Sequence, residues 1–229
     1  MADLSEGLVF AALAAALVYW LGYCWRDQPG PVGAVVKTVS TGLLAAMLWQ
    51  FAGLPMFWTI ALGMTLGAAG DWFLARRGEA AFLAGMAAFG AGHLAYAAGM
   101  LARSSAIGFD GQSVAEDIAL GSLLALVLST EVWLAPRTGA LRWPVRAYVL
   151  LIGAMGVAVV LLPAAPGQWG LGLGAALFIA SDLMLALRLF VVSDPARQRL
   201  LSLSLWPAYW LGQAVIGLSA LAFWGMSGP

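Results

Sequence analysis

Long apolar stretches, separated by short polar or turn-forming segments, repeat along the whole chain. A helix needs about 20 mostly apolar residues to cross roughly 30 Å of hydrocarbon, and it satisfies its own backbone hydrogen bonds there. The pattern predicts eight such spans, over residues 6–25, 32–51, 55–75, 79–102, 115–135, 144–162, 168–190 and 203–226. We therefore expect an all-α, polytopic transmembrane helix bundle that forms a single domain over residues 1–229.

The composition supports a membrane protein and excludes several other classes. Of the 229 residues, 62% are hydrophobic and 10% are charged, whereas about a quarter of the residues are charged in soluble domains. Basic and acidic residues balance at 11 each, so the chain lacks the basic surplus that nucleic-acid binding requires. Cys24 and His93 are the single residues of their types, which excludes a disulfide framework and a Cys/His zinc site.

The basic residues predict how the spans are oriented, because Lys and Arg concentrate in cytoplasmic loops. The loops after the odd-numbered spans hold most of them, namely Arg26, Arg76, Arg77, Arg137, Arg142, Arg146, Arg188, Arg197 and Arg199. The opposite side holds Arg103, and Lys37 lies within the second span. We expect an integral protein of the bacterial inner membrane with both termini on the non-cytoplasmic side.

Four ionisable side chains fall inside predicted spans: Lys37, Asp71, Glu131 and Asp182. Such groups cost several kcal/mol at the centre of a bilayer, and they usually face a cavity or a partner. At a rise of about 1.5 Å per residue, all four lie in the cytoplasmic half of the membrane. We expect them to share one pocket there, although the Glu131 side chain is also able to reach the surface.

Polar neighbours at helical spacing accompany these charges, since residues three and four apart share one face of a helix. The supporting residues that this spacing selects are Ser40, Thr41, His93, Tyr96, Tyr209 and Gln213, and Ser181 joins them as the small residue directly before Asp182. Trp206 and Trp210 extend the stripe on the last span. Two interpretations stay open for these side chains: they assist a functional site, or they form interhelical hydrogen bonds and packing contacts that hold the bundle together.

A short motif occurs twice, as Gly70-Asp71-x-x-Leu74 and as Ser181-Asp182-x-x-Leu185. Four predicted helices separate the two copies, which keeps both in the same orientation across the membrane. This arrangement is typical of a parallel duplication. The sequence thus suggests a weak 4+4 internal repeat.

Several segments resemble one family of membrane proteins. They are Lys37-Thr38 with Ser40-Thr41, Gly70-Asp71-Trp72-Phe73-Leu74, Phe82-Leu83-x-Gly85-Met86-x-x-Phe89, His93-Leu94-x-Tyr96, residues 174–182, and Tyr209-Trp210-x-x-Gln213. In this order and spacing they resemble the YhhN-like lysoplasmalogenase family. One departure is Thr38, where the family pattern has proline after the lysine.

The resemblance implies an ether hydrolase that cleaves the vinyl ether bond of lysoplasmalogens within the membrane. The products would be a fatty aldehyde and glycerophosphoethanolamine or glycerophosphocholine, and Asp71 and Asp182 would belong to the active site. Vinyl ethers hydrolyse through protonation of the β-carbon, so the reaction needs an acid and a base but no metal or cofactor. In glycosidases, a pair of carboxyl groups supplies the acid and the base for a reaction with an oxocarbenium-like transition state.

The roles of the two aspartates follow as a hypothesis. Burial favours the neutral form of a carboxyl group, and Asp182, the deeper residue, is assigned as the acid. Asp71 would then stabilise the cation or activate water, and the opposite assignment stays open. Lys37 would bind the lipid phosphate or form an ion pair with one aspartate.

Two other functions are compatible with the same residues. A proton-coupled transporter of small solutes also places charges inside the membrane, and a hydrolase of a different lysolipid would keep the same fold. A lipid-binding protein without activity is a third interpretation. The sequence leaves the oligomeric state open.

Overall fold

The computed structural model describes residues 2–26, 29–108, 111 and 113–225, and this part of the chain is helical and contains no strand. It forms eight α-helices: α1 (Ala2–Gly22), α2 (Gly30–Trp49), α3 (Trp58–Leu74), α4 (Glu79–Ile107), α5 (Val114–Trp133), α6 (Arg142–Val160), α7 (Gln168–Phe190) and α8 (Pro195–Phe223). Two short 3-10 turns, Ala135–Arg137 and Gly139–Leu141, connect α5 to α6. The prediction of an all-α bundle of eight helices is confirmed.

Six of the eight helices are long and apolar enough to cross a membrane, and the exceptions are α3 and α8. Helix α3 has 17 residues, and α8 carries the polar and aromatic stripe predicted from the sequence. Both are among the more buried helices of the bundle. These two helices supply side chains to the candidate site.

Helix α8 begins at Pro195, eight residues before the predicted start at residue 203. The cause is local: the Asp194 side chain accepts a hydrogen bond from the Arg197 backbone N–H at 2.9 Å, and proline suits the first position of a helix. Helix α5 begins with a capping box, in which Ser113 and Glu116 exchange side-chain to backbone hydrogen bonds. Polar capping therefore extends helical structure beyond the apolar spans.

The most extensive packing joins α7 to α8 and α3 to α4. Helices α7 and α8 cross at Gly174 and Gly212, where the backbones touch: a Cβ at Gly212 would lie 2.9 Å from the Gly174 carbonyl oxygen. At Gly70 on α3, a Cβ would meet the Phe89 ring of α4 at 2.6 Å. Small residues thus allow a close approach of the helices at these contacts. The internal repeat stays a prediction.

Helix α5 lies at the edge of the bundle. None of its residues is buried, and it packs mainly on α6 and the first 3-10 turn. Its outer face carries apolar side chains, with Val132 79% exposed. A surface of this kind suits contact with lipid chains.

Candidate active site

Asp71 lies on α3 and is fully buried. Its Oδ1 atom is 3.0 Å from the Lys37 Nζ atom. Its Oδ2 atom accepts hydrogen bonds from the Thr41 hydroxyl at 2.8 Å and from the Tyr209 hydroxyl at 2.9 Å. A buried charge requires a paired charge and hydrogen-bond donors, and Asp71 has both from α2 and α8.

A chain of hydrogen bonds orients Tyr209 toward Asp71. The Tyr96 hydroxyl donates to Gln213 Oε1 at 2.5 Å, and Gln213 Nε2 donates to the Tyr209 oxygen at 3.4 Å. Because the Tyr209 oxygen accepts from Gln213, its own hydrogen points to the carboxylate. Tyr96 and Gln213, both fully buried, therefore hold the Tyr209 hydroxyl in the orientation that donates to Asp71.

Asp182 on α7 anchors a second cluster. Its Oδ2 atom lies 3.3 Å from His93 Nε2 on α4 and accepts a hydrogen bond from the Tyr148 hydroxyl on α6 at 3.2 Å. The side chain of Asp182 keeps 9% of its surface exposed, whereas that of His93 is fully buried. Three helices thus converge on this carboxyl group.

The His93 ring has a contact at each of its two nitrogens. His93 Nδ1 lies 2.6 Å from the Phe89 carbonyl oxygen, which only accepts, so Nδ1 carries a hydrogen. Nε2 lies 3.3 Å from the Asp182 carboxyl group. His93 is therefore oriented with Nε2 toward Asp182.

Two predicted residues lie near the site without contacting a carboxylate. The Ser40 hydroxyl donates to the Lys37 carbonyl at 2.7 Å, and the Ser181 hydroxyl donates to the Phe178 carbonyl at 2.7 Å. Ser181 also lines the cavity described below. Both serines satisfy their hydroxyl groups within their own helices.

The expectation that Glu131 shares this pocket is wrong. Glu131 forms an ion pair with Arg146 on the surface of α5 and α6, and its side chain is 44% exposed. Arg146 lies in turn over the Trp143 ring at 4.8 Å. Depth along a helix does not determine which face a side chain occupies, and Glu131 occupies an outer face.

Two cavities meet at this site. The polar cavity is lined by Lys37, Asp71, Asp182 and Tyr209 together with Arg26 and Arg188. The apolar cavity lies among α4, α5, α6 and α7 and is lined mainly by aliphatic and aromatic side chains. Leu74, Phe89, Asp182 and Leu185 line both cavities. Asp182 is the carboxyl group at their junction.

Tyr148 is the site residue that sequence reasoning missed. It contacts Asp182 and packs edge-on to His93, with ring centroids 5.7 Å apart. A signal was present: within the sixth helix, from residue 147 onward, Tyr148 is the sole side chain with a polar group. Among the described residues, no group of three or more His, Cys, Asp or Glu side chains is placed to hold a metal ion.

Comparison with known proteins places the chain in a family. It is similar to the protein named "Lysoplasmalogenase TMEM86A" of Bos taurus, with 31% identity over 90% of this chain and 85% of the relative. The Homo sapiens protein of the same name is 29% identical over the same shares. No solved structure matches the chain. The YhhN family profile matches residues 32–220, and the chain therefore belongs to the YhhN family.

Proposed function

We propose that this protein hydrolyses the vinyl ether bond of lysoplasmalogens at Asp182. The observation that carries the proposal is the position of Asp182 between a polar and an apolar cavity. A lysoplasmalogen has the same division, because its vinyl ether group joins a polar glycerophosphate part to a long hydrocarbon chain. The name of the two relatives supports the same substrate.

The two cavities suit the two parts of this lipid. Leu123, Val127 and Ile152 are among the apolar residues that would contact the alkenyl chain. The glycerol and the head group would occupy the polar cavity beside Lys37 and Asp71. In this position the reacting double bond lies at the level of Asp182.

We place the acidic proton of the reaction between His93 Nε2 and Asp182, which lie 3.3 Å apart. The reaction begins when this proton moves from the Asp182 carboxyl group to the β-carbon of the vinyl ether, which leaves an oxocarbenium ion on the α-carbon. Removal of the proton leaves Asp182 negatively charged beside the cation, which stabilises it. Tyr148 keeps its hydrogen bond to Oδ2 and orients the carboxyl group for the transfer.

Asp71 supplies an oriented carboxyl group to the same cavity. Lys37, Thr41 and Tyr209 hold its two oxygens, so the carboxylate is oriented before the substrate arrives. Because Lys37 balances its charge, Asp71 contributes a fixed hydrogen-bond acceptor rather than net negative charge. We therefore assign Asp71 to orienting the attacking water.

Water completes the reaction. It adds to the α-carbon of the oxocarbenium ion and gives a hemiacetal, and the released proton returns to the His93 and Asp182 pair. The hemiacetal then collapses to a fatty aldehyde and the free glycerol hydroxyl. The second product is glycerophosphoethanolamine or glycerophosphocholine, according to the head group of the substrate.

Hydrolysis in D2O tests the mechanism. Protonation of the β-carbon places one solvent deuterium on the carbon next to the aldehyde, and immediate reduction to the alcohol fixes the label for mass spectrometry. We expect one deuterium in the product and no cleavage of the saturated-ether analogue. Cleavage of the saturated ether, or an unlabelled product, would refute protonation at carbon.

Asp182→Asn tests the proposed acid, and Glu131→Gln is the matched control. Both variants replace a carboxyl group by an amide, but Glu131 lies on the surface outside both cavities. We expect Asp182→Asn to remove aldehyde release and Glu131→Gln to retain it, with both proteins folded by thermal unfolding. An active Asp182→Asn enzyme would overturn the assignment. Asp71→Asn is a less direct test, because it also removes the partner of Lys37.

We also propose that the polar cavity opens toward the cytoplasm and that both termini lie on the other side of a bacterial inner membrane. The distribution of Arg residues over the loops supports this orientation. Fusion of a reporter active in the cytoplasm to the C-terminus tests it. A strong signal from that fusion would reverse the orientation.

A further inference from the structure

Among the lining residues that the structure describes, the polar cavity carries more basic than acidic side chains. The basic ones are Arg26, Lys37 and Arg188, and the acidic ones are Asp71 and Asp182. Lys37 and Asp71 balance each other through their 3.0 Å ion pair. With three basic groups against two acidic ones, the described wall of the cavity suits an anionic group.

We propose that Arg26 and Arg188 form a phosphate subsite, through which the protein recognises the phosphate of its lipid head group and not the amine. This inference rests on the proposed function, because it places the vinyl ether at Asp182. A guanidinium group matches phosphate geometry and binds it through two parallel hydrogen bonds.

The spacing along α7 fits the lipid. Arg188 follows Asp182 by six residues and therefore lies about 9 Å further along the helix axis. In the substrate, seven bonds join the β-carbon of the vinyl ether to the phosphorus, and an extended chain of that length spans about 8 Å. With the β-carbon at Asp182, the phosphorus reaches the level of Arg188 in the same cavity.

Arg26 also lines this cavity. It follows α1, where its backbone N–H donates to the Tyr23 carbonyl at 3.0 Å, and its guanidinium group lies 5.1 Å from the centre of the Tyr23 ring. Stacking uses the face of a guanidinium group and leaves its N–H edge for an anion. Arg26 is exposed, so it is able to meet a head group as the lipid enters.

The same cavity offers little to a head-group amine. An ammonium group needs a carboxylate or an open aromatic face. Asp71 and Asp182, the carboxyl groups among the described lining residues, already contact Lys37 and His93. The Trp206 ring packs against Tyr19 at 4.4 Å between centroids, and Lys37 Nζ already lies 5.8 Å from its centre.

Three substrates test the inference on the unmodified protein: 1-alkenyl-glycerophosphoethanolamine, 1-alkenyl-glycerol 3-phosphate and 1-alkenyl-glycerol. Hydrogen bonds to a charged group contribute substantial binding free energy, so a substrate without the phosphate should have a kcat/KM at least about tenfold lower. Removing only the ethanolamine should change kcat/KM by less than about threefold, because the amine has no partner of its own. Equal kcat/KM with and without the phosphate would overturn the subsite, as would a tenfold loss on removing the amine. If none of the three is cleaved, the proposed function itself fails.

Variants then locate the subsite. Arg188→Gln and Arg26→Gln should each lower the ratio of kcat/KM for the phosphorylated substrate to that for 1-alkenyl-glycerol, and Arg188→Lys should recover part of it. Arg199→Gln is the matched control, because Arg199 lies over the Trp25 ring at 5.5 Å and is not a lining residue. A ratio that Arg188→Gln and Arg26→Gln leave at the wild-type value overturns the proposal.

Inorganic phosphate separates the lipid head group from a free anion. The subsite serves a head group whose chain is already held in the apolar cavity, so millimolar phosphate should leave the rate of lipid hydrolysis unchanged. Competitive inhibition by micromolar phosphate would identify a site for the free anion and overturn the assignment to a lipid.

Discussion

The Lys37 and Asp71 ion pair makes the stability of the bundle depend on a single lysine. In Lys37→Met the Asp71 carboxylate stays fully buried and loses the ammonium group 3.0 Å away. Breaking a buried pair by removing one partner costs about 3–5 kcal/mol. Because Thr41 and Tyr209 continue to donate to Oδ2, we expect the lower end of that range.

Protonation sets an upper limit on this loss. Protonating an ordinary carboxyl group at pH 7 costs about 4 kcal/mol, and at pH 5 it costs about 1.5 kcal/mol. Once protonated, Asp71 no longer needs its cation. The loss in Lys37→Met should therefore be about 3 kcal/mol at pH 7 and about half of that at pH 5. For a chain of this size, 3 kcal/mol corresponds to a fall in Tm of about 6–12 °C.

Thermal unfolding in detergent, followed by the fluorescence of the 11 tryptophans, measures this difference. The double variant Lys37→Met/Asp71→Asn should unfold above Lys37→Met alone, because it removes the unpaired charge. Arg146→Met breaks the exposed Arg146 and Glu131 pair and should shift Tm only slightly. The reasoning is refuted if Lys37→Met matches the wild type at pH 7, or if the double variant is the less stable of the two.

Three further variants probe the reaction, the chain cavity and the packing. Tyr148→Phe removes the donor 3.2 Å from Asp182 and should lower kcat for aldehyde release about tenfold with little change in Tm; an unchanged kcat would contradict that role. Ile152→Trp adds bulk to the apolar cavity and should shift preference toward shorter alkenyl chains in a competition assay, whereas an unaltered profile would place the chain elsewhere. Gly212→Ala puts a Cβ 2.9 Å from backbone atoms of α7 and should destabilise the fold by about 1–3 kcal/mol, while Gly42→Ala, with open space around it, should not lower Tm.

Much of the fold follows from the sequence because the determinants of a membrane helix are local. An apolar span must be helical in a membrane whatever its neighbours are, so the eight helices were predictable. The differences between prediction and structure lie at the helix ends. Asp194 caps α8, which therefore begins eight residues before its predicted start. It was also predictable that Asp71 and Asp182 would need partners inside the bundle, since a carboxyl group is costly at membrane depth whatever surrounds it.

The partners of these carboxyl groups were not predictable in the same way. Glu131 has a depth along its helix similar to that of Asp71, yet one pairs with Arg146 on the surface and the other with Lys37 in the core. Tyr148 contacts Asp182 only because α6 turns that side chain toward α7. Helix rotation and crossing decide such contacts, and these depend on how all the helices pack together.

The amino-acid sequence by itself determined that this chain is a bundle of apolar helices with two aspartates whose carboxyl groups are energetically unfavourable within a membrane. It did so because hydrophobicity and charge act on each helix separately. The tertiary structure alone decided that one aspartate is held by a lysine and the other by a histidine. It also decided that the second aspartate stands where a polar and an apolar cavity meet. A cavity is a property of the space between helices, and no single helix specifies it.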